Sequence, residues 1–176
     1  MTVDVVGAEQ LPAQVDAGLL ILRVLVGGGL ALHGFQKLLG WFGGGGFEGT
    51  SRWFSGLGFG DGRVATLMAG TGEIGGGLGL ATGLLTPVAA AAMIGVMTVA
   101  ALVNNAEGGF WSARKGWELN GYLIVVAWAV ATTGPGAYSL DAALGSPVPS
   151  GVLPGLIALG VGSGLGWVRW LTRREG

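Results

Sequence analysis

Apolar residues gather in five runs, 18–39, 64–85, 88–106, 117–134 and 152–171. Each is near the ~20 residues that a helix needs to cross the hydrocarbon core of a bilayer. The pattern predicts an all-α transmembrane helical bundle. Only Leu85-Thr86-Pro87 lies between the second and third runs. A proline there can open a helix, so these two are expected to be antiparallel neighbours. A Ser/Pro-rich stretch, GSPVPS at 145–150, sets the fifth run apart. The expected organisation is an N-terminal segment at 1–17, a four-helix membrane domain at 18–144, a linker at 145–151, and a peripheral helix with a basic tail at 152–176.

Composition agrees with the pattern. The chain is 51% hydrophobic and 11% charged, against about 25% charged in soluble domains. Its 38 glycines sit inside the apolar runs, where they serve close helix contact in lipid. A net charge of -1 excludes nucleic-acid binding driven by phosphate neutralisation. Cysteine is absent, which removes disulfides, thiolate catalysis and iron–sulfur ligation through this chain. One histidine and scattered carboxylates give no zinc or di-iron spacing, so no metal site is expected. Residues 1–17 carry Asp4, Glu9 and Asp16 without a basic residue, unlike a cleaved signal peptide, and the first run is expected to stay.

The basic residues assign an orientation. With alternating crossings, Arg52, Arg63, Arg114, Lys115, Arg173 and Arg174 share one side with the helix-end Lys37 and Arg169. The positive-inside rule then places the N-terminus outside and the C-terminus in the cytoplasm.

Charged residues inside the runs demand partners, because each costs about 2.5–3.5 kcal/mol at a helix centre. Helical rise and rotation bring His33, Lys37, Asn104, Asn105 and Glu118 to one level, near the cytoplasmic ends. These residues, with Glu73 deeper on the second helix, form the candidate polar pocket. Each also has a plainer role: Lys37 as a snorkelling anchor, Glu118 at a helix N-terminus, His33 as a hydrogen-bonded core residue. Arg23 and Glu73 are the expected structural ion pair.

Gly72, Gly75, Gly76, Gly79 and Gly83 in the second run, and Gly160 and Gly164 in the fifth, stand at spacings that smooth one helix side. They are candidates for bundle packing, for a groove, or for oligomerisation. The aromatic, glycine-rich stretch at 41–62 is expected to lie on the membrane as a cover over the polar cluster. Its GGGG lacks the lysine and hydroxyl of a phosphate loop.

RVLVGGGLALHGFQKLLG (23–40), GEIGGGLGLATGLLTPVAAAAMIGVMTVA (72–100) and GFWSARKGWELNGYLIVVAWAVATTGPGAYSLD (109–141) together resemble the DoxX family of small bacterial membrane proteins. The resemblance covers residues 17–144. It implies a four-helix DoxX-like core, to which this chain adds its fifth helix, and association with redox or respiratory, quinone-linked complexes. By the same matching, His33, Lys37, Glu73, Glu118 and Asp141 are the family's polar positions. Asn104 and Asn105 stand where a histidine is expected at the end of the third helix.

The leading functional expectation is a membrane subunit lining a quinone-type pocket, with other membrane subunits as partners and no covalently bound cofactor. Without cysteine, paired haem ligands or a flavin motif, electrons would come from a partner. The alternative is a non-catalytic accessory subunit packing against a larger membrane assembly. A transporter fits less well, because five runs without an internal repeat offer no alternating-access pair.

Overall fold

The structure is a computed structural model that describes residues 13–145 and 153–172. The described residues are all-α, in the order α1 (Ala13–Leu39), a 3-10 turn (Trp41–Gly43), α2 (Gly46–Gly56), α3 (Arg63–Thr82), α4 (Thr86–Gly108), a 3-10 turn (Ser112–Arg114), α5 (Glu118–Thr133), α6 (Leu140–Ala143) and α7 (Leu153–Thr172). All five apolar runs are therefore helices. Among the described residues, α1 and the 86–104 part of α4 are long and apolar enough to cross a membrane by length and composition. Glycines and Glu73 dilute α3, and α5 has 16 residues.

Glycine sets the register of the bundle. A Cβ on Gly27 would stand 2.5 Å from the Gly77 carbonyl oxygen, and one on Gly34 would stand 2.7 Å from that of Gly70. As residue numbers rise on α1 they fall on α3, so the pair is antiparallel and in backbone contact. Gly76 faces Met93 and Ala89, and Gly79 faces Ala89, which makes α3 and α4 antiparallel too. Gly83, left-handed at φ 66°, ends α3 as a glycine cap: its amide donates to the Leu80 carbonyl and that of Leu84 to the Gly79 carbonyl.

Two expected packing glycines differ. Gly75 has open space where a Cβ would stand, and Gly83 works as the cap. Gly72 meets the Val96 side chain, while the closest α1–α3 contact uses Gly77, which the four-residue spacing rule passed over.

Leu30, Leu80, Met93, Ile94, Ala127 and Val130 form the main core, drawn from α1, α3, α4 and α5. The outward faces carry Ile21, Leu25, Val125 and Leu159, each at least 60% exposed. In water that surface would be a liability; in lipid it is ordinary. The expected cover over 41–62 contains α2, which packs against α1 and α3. It buries Thr50, Ser51 and Phe54, and the Ser51 and Thr66 hydroxyls lie 3.1 Å apart. Arg63 ties α3 to α2 from outside, bonded to Glu48 at 2.7 Å and stacked over the Phe47 ring.

Candidate functional site

Under α2 lies a cavity of about 450 Å³. Its walls are mainly apolar, with Leu30, Phe54, Met68, Val96, Met97 and Leu123 among them. Polar groups enter at two places. On one wall the Lys37 ammonium donates to both carboxylate oxygens of Glu73, at 2.6 and 2.7 Å. On another wall the Asn104 amide donates to the Asn120 Oδ1 at 2.8 Å, and the Asn120 amide reaches the Met97 sulfur at 3.6 Å. His33 lines the same cavity and makes no hydrogen bond among the described residues.

The register explains why Glu73 pairs with Lys37 and not with Arg23, as expected from sequence. Arg23 is level with the end of α3, where Ala81 lies eight residues beyond Glu73, about 12 Å along the axis. Lys37 reaches Glu73 from the other direction. Arg23, fully buried, instead binds backbone: Nη1 donates to the Leu80 and Ala81 carbonyls at 3.4 and 3.3 Å, and Nη2 to that of Tyr138 at 2.6 Å. The guanidinium thus joins the last turn of α3, where a helix leaves carbonyls short of i+4 amide donors, to the loop carbonyl of Tyr138.

Glu118 is also placed differently. Its carboxylate accepts from the Ser112 amide and hydroxyl at 3.1 and 2.9 Å, closing the turn before α5, and it does not line the cavity. Asn120 does. Two residues on a helix are about 200° apart, so only one of this pair can face inward. The side chain of Asn105 lies outside the described residues. Thus His33, Lys37, Glu73 and Asn104 come together as expected, Asn120 joins them, and Glu118 stands apart.

Asp141 serves the opposite end of the bundle. Its Oδ1 accepts from the Leu85 amide at 2.8 Å, and its Oδ2 from the Thr86 amide and hydroxyl at 2.9 and 2.7 Å. Asp16, the buried acid in the first turn of α1, accepts from the Ala137 amide at 2.8 Å. The stretch 136–141 is therefore pinned to α1, α3 and α4 by Asp16, Arg23 and Asp141. Ionisable residues held inside an apolar helical bundle by such bonds can serve structure alone.

A bundle that is all-helical among the described residues, with lipid-compatible faces and a partly open, amphipathic cavity, defines a small helical membrane protein. The DoxX family profile matches residues 18–106, and the chain belongs to the DoxX family. The matched segment runs through α1, α2, α3 and most of α4; Asn120 and α7 lie beyond it. No curated protein and no solved structure matches the chain.

Proposed function

We propose that this DoxX-family membrane protein holds a quinone-class ligand in the cavity under α2, as a subunit beside a redox or respiratory complex of the bacterial plasma membrane. The observation that carries the reading is the pairing of apolar walls with separate polar poles in one cavity. A quinone ring needs apolar surface and a hydrogen-bond donor for each of its two carbonyl oxygens. Lys37 has three N–H groups, two of them engaged by Glu73, and Asn104 has two, one engaged by Asn120. One donor therefore remains at each pole, and His33 adds another. The cavity volume lies within the range of about 300–1,000 Å³ usual for small-molecule sites. The chain positions the ring and its partner supplies electrons.

The reading includes five spans with the N-terminus outside. The helix directions support the alternation of spans, and the basic residues alone the orientation: α4 and α7 run parallel, with Gly160 against Ala91 and Gly164 against Gly95, as two odd-numbered crossings must.

A titration of the purified protein in lipid nanodiscs with a short-tailed benzoquinone, read by tryptophan fluorescence, tests the site. Saturable binding is expected, weakened about tenfold or more in Lys37→Met, Asn104→Leu and His33→Ala combined, since each lost hydrogen bond is worth about 1 kcal/mol. Absence of saturable binding, or unchanged affinity in the triple variant, refutes it. An accessory role in a larger assembly draws on Gly75, Gly162 and Gly166, which face open space. A stoichiometric partner lost on Gly75→Leu and Gly162→Leu, with no quinone bound, would favour it.

A further inference from the structure

α7, the helix expected to be appended after the Ser/Pro break, packs closely against α4. A Cβ on Gly160 would stand 2.5 Å from the Ala91 carbonyl oxygen, and one on Gly164 would stand 2.8 Å from that of Gly95. Two glycines about one turn apart seat α7 backbone to backbone on α4 and fix its rotation. Ser163 then falls on the flank of that contact, roughly 60° around the helix from Gly160. On that flank Ser163 and Gly164 line the same cavity as Lys37, Glu73 and Asn104. The Ser163 hydroxyl donates to the Gly160 carbonyl at 2.9 Å. With its proton so engaged, its oxygen is left as an acceptor.

We propose that α7 is a wall of the ligand cavity, and that Ser163 contacts the ligand, limiting the ring substituent admitted and accepting a hydrogen bond from a ring hydroxyl. Lys37, His33 and Asn104 offer donors, which suit the carbonyls of a quinone. Ser163 offers the acceptor that suits the hydroxyl of its reduced form. The ligand part of this inference rests on the quinone reading above; the placement of α7 does not.

The absence of native cysteine makes single-cysteine reporters clean. A bimane fluorophore on Ser163→Cys should be quenched by Trp53, which lines the same cavity, and should brighten in Trp53→Phe. The same fluorophore on Gly162→Cys, which faces open space, should be indifferent to Trp53→Phe. Quenching at Gly162→Cys alone, or at neither position, overturns the wall. For ligand contact, Ser163→Phe should abolish binding of a short-tailed benzoquinone and of its benzoquinol, while Gly162→Phe keeps both. Ser163→Ala should weaken the benzoquinol about two- to tenfold and leave the benzoquinone unchanged, the effect of one neutral hydrogen bond. Normal binding by Ser163→Phe, or equal effects of Ser163→Ala on the two forms, overturns the contact. If the unaltered chain binds neither form, the quinone reading and the ligand contact fail together, and the bimane result still decides whether α7 is a cavity wall.

Discussion

Glu73 and Lys37 differ in exposure, with side chains 4% and 24% accessible, and the difference decides which substitution does more harm. Lys37→Met leaves a carboxylate buried without a partner. Breaking a buried pair this way costs about 3–5 kcal/mol, and the melting temperature in detergent should fall sharply. Glu73→Gln leaves the ammonium, which can swing on its four-carbon stem toward the polar end of the helix. Its loss should be smaller. The double change Lys37→Met with Glu73→Leu should recover most of the stability lost in Lys37→Met, as a thermal double-mutant cycle would show. Equal losses in the two single variants would mean that both charges are similarly solvated. Arg23 poses a different problem, because its partners are three carbonyls and its value lies in a forked geometry. Lysine cannot span from Leu80 and Ala81 to Tyr138. Arg23→Lys should therefore lower the melting temperature despite keeping the charge.

Asp141 acts at the level of elements. It accepts from the Leu85 and Thr86 amides at the start of α4, where a helix has unsatisfied donors and favours negative charge. The cap comes from 55 residues away, so it fastens α6 to α4 while stabilising the helix itself. Asp141→Asn keeps the shape but removes the charge and one of the acceptors. A loss of about 1 kcal/mol, typical of a cap, is expected in thermal unfolding. It should come with faster amide exchange at Leu85 and Thr86; unchanged exchange would refute the capping role. The α1–α3 contact is less forgiving. Gly77→Leu would drive a side chain into the Gly27 carbonyl and the Ala31 backbone, where no side chain can rotate away, and the bundle should fail to assemble. Sequence spacing foresaw packing at Gly72, Gly76, Gly79, Gly160 and Gly164 but also named Gly75 and passed over Gly77, because a small-residue motif marks a smooth side without saying which neighbour covers it. Gly75 is smooth and open; Gly77 is smooth and covered.

At the scale of the molecule, the lengths of the apolar runs made the five long helices legible, and α1, α3, α4, α5 and α7 follow those runs closely. The site was legible by level and not by partner. His33, Lys37 and Asn104 share a depth because turns are regular, whereas the choice of Lys37 for Glu73 depends on how far α1 has slid along α3, a quantity set by glycine contacts between distant residues. The role of α7 was hidden for the same reason: a break in sequence separates elements along the chain, and Gly160 and Gly164 reunite them in space. That reunion bears on topology. On the proposed five-span reading, α5 returns the chain between parallel α4 and α7, two crossings from the end of α4 to the end of α7. Single cysteines on the cysteine-free background should then report opposite sides. Ala113→Cys, exposed in the turn between α4 and α5, should react with a membrane-impermeant maleimide only after the cells are opened. Leu144→Cys, at a position 64% exposed after α6, should react in intact cells. Labelling of both from outside would place α5 on the membrane surface and remove the five-span arrangement, while the reverse pattern would keep the spans and invert the orientation that the arginines and lysines assign.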